Sequence, residues 1–229
     1  MEGEEKEVPT SNGRMTGPMA VVLGAVLILL VGVLVPYLKE QRKVVARTRG
    51  IGNCKQIGMY LIMFDQEFGK FPDEGTAAEV SRSTRSDLDF SGRSSNAIFR
   101  QLVAIGAENE MIFYCEHPEG SRRPDGRIDR DHALEPGETG FSYVVNLSFA
   151  GDPQRTILAS PMVTSKKDRF DAEPYRGHAI TLRIDGSVVA SRIDESGRAL
   201  EDDGKSIFES GPRTVWGEMM PEIWQPEFR

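Results

Sequence analysis

Met15-Thr16-Gly17-Pro18-Met19-Ala20-Val21-Val22-Leu23-Gly24-Ala25-Val26-Leu27-Ile28-Leu29-Leu30-Val31-Gly32-Val33-Leu34-Val35-Pro36-Tyr37-Leu38 is the stretch on which the reading of the fold turns. It holds no charged side chain, and Thr16 is its only aliphatic hydroxyl. As a helix rising 1.5 Å per residue it would reach ~36 Å, enough to cross a ~30 Å hydrocarbon core with some tilt. A secretory signal has a shorter apolar region and a small-residue cleavage site. Pro36-Tyr37-Leu38-Lys39 offers no such site. Residues 15–38 therefore read as a transmembrane helix, with Pro18 tolerated in its first turn and Pro36 expected to kink it. Residues 1–14, short and acidic, read as a disordered leader.

Beyond Leu38 no strong breaker appears before Gly50, and the helix is expected to leave the membrane and continue over 39–72. Ile51, Cys54, Ile57, Gly58, Leu61, Phe64 and Phe68 follow steps of three and four, which puts them on one stripe. Gly69 and Pro72 supply the stop. Ser94 or Ser95 can cap a short second helix through Ile105, ending at Gly106. Strand patterning then begins: Met111–Cys115, Phe141–Leu147, Thr156–Ser160, and a hairpin of Ala179–Ile184 with Ser187–Ile193 around Asp185-Gly186. Residues 73–94 and 116–140 read as loops. The expected class is α+β: a long N-terminal helix extending into a head, 73–204, with a small antiparallel sheet. A tail, 205–229, would cover that head.

Of 229 residues 28% are charged, and the net charge is −7. Residues 1–16 sum to −2, 39–55 to +5 and 56–229 to −10, so a basic stalk precedes an acidic head. An acidic chain with a pI near 5.2 is a poor candidate for nucleic-acid binding. Two cysteines exclude a multi-bridge scaffold and a four-cysteine zinc site. Lys39, Arg42, Lys43, Arg47 and Arg49 outnumber Lys6 and Arg14 across the apolar stretch, and a positive-inside count would place the head in the cytoplasm.

Several segments, in order, resemble the type IV pilin-like proteins, prepilin-type and type II secretion pseudopilin-like. Asn53-Cys54-Lys55-Gln56-Ile57-Gly58 with Gly69-Lys70-Phe71-Pro72 is similar to that family's Asn-Leu-Lys-Gln-Ile-Gly and Gly-Lys-Phe-Pro strings. Phe113-Tyr114-Cys115-Glu116-His117-Pro118 resembles its Phe-x-Cys-Pro strand end, Phe141-Ser142-Tyr143 its Ser-Tyr strand, and His178 with Asp185-Gly186 its His…Asp-Gly signature. The likeness spans roughly 15–193 in outline and is dense only over 53–72. Gly-Phe-Thr-Leu-Ile-Glu, where a prepilin peptidase cuts, has no counterpart here. The candidate processing region is Arg14, Met15, Gly17 and Pro18, and on either alignment the family's buried Glu is missing.

The resemblance implies a non-enzymatic, membrane-anchored, pseudopilin-like subunit of a type II secretion or type IV pilus-like assembly. It would sit in the bacterial inner membrane by a single pass, with its head outside the cytoplasm, against the charge count. Its partners would be the membrane, other pilin-like subunits and secretion machinery. The alternative is a single-pass anchored binding or sensory head that does not polymerise. An oxidising compartment would let Cys54 and Cys115 close a loop of about 60 residues with one disulfide, worth ~4 kcal/mol by chain entropy; two buried free thiols are the other possibility.

No catalytic or metal site and no cofactor is expected. Cys115-x-His117 lacks a second ligand pair. Asp125, Asp129 and Asp131 miss the EF-hand spacing and are interrupted by arginines. His178 has no nucleophile in a recognisable elbow.

Overall fold

The computed structural model describes residues 17–166 and 168–228, and for 17–21 and 24 the backbone alone. The chain divides into two compact units between Gln41 and Arg42. Helix α1 runs from Gly17 to Phe68, and Pro36 lies inside it without interrupting it. The expected leader, 1–14 with Arg14, and Met15 at the start of the expected span lie outside the described residues.

Among the described residues no helix is long and apolar enough to cross a membrane. The expected transmembrane helix over 15–38 is corrected accordingly. So is the single-pass inner-membrane placement with an extracytoplasmic head, which depended on it.

In the head unit the rest of α1 packs on an antiparallel sheet. Its strands are β1 (Ser142–Val144), β2 (Thr156–Ser160), β3 (His178–Arg183), β4 (Val188–Arg192) and β5 (Ile223–Trp224), in spatial order β4-β3-β2-β1-β5. Cys54, Ile57, Leu61 and Phe64 are fully buried, as their spacing predicts. Gly50 and Gly58 let the helix come close to β3. A Cβ on Gly58 would stand 3.2 Å from Leu182 Cδ1, and one on Gly50 would stand 2.4 Å from Ile180 Cδ1.

The β3–β4 hairpin turns at Asp185-Gly186. Gly186 takes φ +81°, and Asp185 Oδ1 accepts the Ser187 N–H at 2.8 Å. β2 is buried along its whole length, which requires cover on both faces. The tail contributes part of that core: Trp216 is buried, its indole N–H donates to the Ile207 carbonyl, and Arg155 lies 5.6 Å over its ring. The tail also ends as β5, an edge strand of the sheet, where only a covering segment was expected.

Three other expectations change. Met111–Cys115 is not a strand. Asn109 Oδ1 accepts the Met111 N–H and starts a 3-10 turn over Glu110–Ile112. Phe141–Leu147 shortens to β1 because Asn146, at φ +63°, turns the chain. Residues 73–94 contain a helix, α2 (Ala77–Thr84), whose single buried residue, Val80, is too little to form a stripe. The capped helix near Ser94 forms as α3 (Ser95–Ala104), with Ser94 Oγ accepting the Ala97 N–H.

Candidate functional site

The residues singled out by motif hold the head together. Asn53, nearly buried on α1, donates from Nδ2 to the carbonyls of Met111 at 2.8 Å and Tyr114 at 2.7 Å. This ties the 3-10 turn to the helix. Ile57 and Gly58 face the sheet, whereas Lys55 and Gln56 face solvent. Gly69 ends α1 at φ +73°, its N–H donating to the Asp65 carbonyl. Phe71 is buried, its N–H reaching the Leu147 carbonyl, and the Tyr143 hydroxyl donates to the Pro72 carbonyl at 2.8 Å. Gly-Lys-Phe-Pro is thus where the helix end is fastened to β1. His178 opens β3 and accepts from Arg47 at 3.0 Å, closing α1 onto the sheet. None of these groups converges with a nucleophile.

Cys54 and Cys115 are both buried and both free. The expected disulfide is corrected: Cys115 Sγ points at Ser160 Oγ, 3.0 Å away, and the strand end that would have presented it does not form. Burial pushes the Cys54 thiol well above its ordinary pKa and the Cys115 thiol up to about 12. Neither is a ready nucleophile, because attack requires the thiolate. Among the described residues there is neither a bridge nor a membrane span, and nothing there supports a type II secretion assignment.

The acidic loop 116–140 assembles differently from the Asp125, Asp129, Asp131 grouping. Asp129 meets Arg127 and His132. Asp125 gathers with Glu135 and Glu138, their carboxylate oxygens within 4.8 Å of one another. The positive charge there is Arg122, whose guanidinium pairs with Glu135 and, at 2.8 Å, with buried Glu138. Buried Glu110 braces the same loop, accepting the N–H groups of Leu134 at 2.8 Å and Gly126 at 2.9 Å. Burial raises the pKa of both Glu110 and Glu138.

Asn96, fully buried on α3, completes the network. It donates to the Leu134 and Glu135 carbonyls and accepts from the Thr139 hydroxyl and the Glu227 N–H. Sequence reasoning missed Asn96, Glu110 and Glu138. Ser94-Ser95-Asn96 reads only as a helix start, and nothing local signals a partner more than a hundred residues away.

The cavities are shallow and mixed in polarity. One of about 440 Å³ is lined by Asp152, Arg183, Glu201, Asp203 and Lys205, with Arg183 paired to Glu201 and Lys205 to Asp203. Another, of about 340 Å³, lies among Met162, Phe208, Met220 and Ile223. No histidine or cysteine lines either of them.

The arm of α1 carries a different feature. Every described large side chain from Val22 to Leu38 is exposed, Ile28 to 75% and Val33 to 70%. A Cβ at Gly32 would find nothing within 4 Å. A helix apolar all round is one that is covered by something. Uncharged side chains on every side fit the core of a helical assembly. This arm is the candidate site.

No protein-family model, no curated protein and no solved structure matches the chain.

Proposed function

We propose that the protein is a non-enzymatic assembly subunit of the pilin-like kind: a head fixed on α1, with an apolar arm that packs among the arms of other such subunits. One observation carries this reading, the all-round exposure of uncharged Ala25–Leu38. Thirteen large apolar side chains from Val22 to Leu38 are exposed there. Covering about half of what each still exposes, at ~1 kcal/mol apiece, contributes roughly 10 kcal/mol. Association costs about 4–15 kcal/mol, so a bundle of several arms is favoured over a pair. The resemblance over Asn53–Pro72 and the inert cysteines agree with a structural role.

Sedimentation velocity of the full chain tests it. Wild type is expected to sediment as oligomers and Val33→Glu largely as monomer with an intact head. A wild-type chain that stays monomeric at all accessible concentrations overturns the proposal.

A further inference from the structure

The head unit carries a second uncovered face. On α1, the side turned away from β3 shows Val45 (57% exposed), Met59 (61%) and Met63 (52%), with half-buried Gly52 between. Val45, Gly52 and Met59 recur every seven residues, the spacing that keeps a stripe against one partner helix. A Cβ on Gly52 would meet nothing within 4 Å, so a partner backbone can approach there. The opposite side of the same helix, through Gly50 and Gly58, is filled by β3.

Charge selects the occupant. Arg49 and Glu67, both exposed, are eighteen residues apart, five helical turns, and so lie along the same edge of the stripe. A second copy laid antiparallel brings Arg49 against Glu67 of that copy, and by symmetry makes the pair twice. A copy laid parallel and in register instead brings the edge carrying Arg49 against the partner edge carrying Lys55, like charge against like. From this geometry we infer that the outer face of α1 in the head is a two-fold, antiparallel homodimer contact, with Met59 close to the axis. A closed two-fold is the commonest symmetry for like chains. One helix pair puts it at the weak end of specific interfaces, near ~1,000 Å². The contact lies entirely within the head and stands independently of the arm.

Short bis-maleimide cross-linking of the full chain tests it, because Cys54 and Cys115 are buried. Within one helix, residues 49 and 67 are ~27 Å apart, too far to bridge internally. The variant with both Arg49→Cys and Glu67→Cys should give a covalent dimer, as should Met59→Cys alone, while Arg49→Cys alone should give almost none. A second reading uses charge: Arg49→Glu should weaken dimer formation of Met59→Cys by about tenfold, and adding Glu67→Arg should restore it. Cross-linking of Arg49→Cys to itself would overturn the inference in favour of a parallel pair. A ladder of higher multimers from the double cysteine variant would overturn the closed two-fold, and absence of any dimer would overturn the contact itself. Since arm-driven assembly is read by sedimentation, either idea can fail alone.

Discussion

Residues 25–38 and 42–68 belong to one helix and answer opposite requirements. Over 42–68 a single stripe is apolar, and each buried position meets a named partner. Asn53 holds two carbonyls, Gly58 admits Leu182, and Arg47 reaches His178. Over 25–38 the whole circumference is apolar and its large side chains are exposed. The first stretch is fixed by complementarity within the chain; the second carries only a hydrophobic requirement. Substitutions should therefore be costly and position-specific in the head. In the arm they should leave head stability unchanged and act on assembly alone.

The largest expected effect is at Gly140, where a Cβ would lie 2.4 Å from the Cys115 carbonyl oxygen and 2.6 Å from its sulfur. Gly140→Ala should cost about 3 kcal/mol in urea denaturation, because backbone is the obstacle and cannot swing aside. A change near zero would mean the closure of loop 116–140 over Cys115 is looser than described.

Asn96→Ala comes next. It leaves the Thr139 hydroxyl, the Glu227 N–H and two carbonyls without that partner, for about 2–3 kcal/mol and faster amide exchange around 134–139. Exchange confined to the C-terminal tail would contradict the idea that one side chain joins loop and tail.

Titration sharpens the same contrast within the head. Burial holds the Glu110 pKa above 4.5, so the folded state binds its proton more readily than the unfolded state. The cost of ionised Glu110 is present above the folded pKa and is relieved as pH falls through it. Asp194 is the opposite case: the Arg198 N–H and the Ser196 hydroxyl hold it below 3.8. Its contribution is present above 3.8 and lost as pH falls further. Thermal melts compared with Glu110→Gln should show wild type losing relative stability as pH rises from about 4.5. The reverse slope would show that the two N–H donors outweigh burial.

The smallest head effect belongs to the arm: Val33→Glu should leave the melting of the head within ±0.5 kcal/mol of wild type. A cooperative loss of head stability would erase the distinction between the two stretches.

Much of this architecture was legible in the residues. Steps of three and four gave the α1 stripe, Asp185-Gly186 gave the hairpin, and Ser94 gave the start of α3. The misreadings share a cause. Met111–Cys115 looks like a strand by composition, yet the side chain of Asn109 turns the backbone first. α2 has only Val80 to anchor it, and β5 has two residues, so neither produces a period. The apolar run was read as a membrane span from its length, whereas among the described residues no helix is long and apolar enough to cross a membrane. Of the residues marked by motif, Asn53, Gly58, Phe71 and Pro72 locate the joints of the head. The long-range network of Asn96, Glu110 and Glu138 leaves no local trace, because its geometry exists only once loop and tail have folded back.

The most direct measurement is the rate at which a maleimide labels a thiol placed on the arm, Ile28→Cys, relative to one on the exposed head loop, Glu195→Cys, in the full chain. With Cys54 and Cys115 buried, the signal belongs to the introduced thiol. If the arm is the assembly element, residue 28 should label slowly, speeding up when Val33→Glu is added, while residue 195 labels fast in both. Equal, fast labelling at 28 and 195 in the unaltered background would contradict the account.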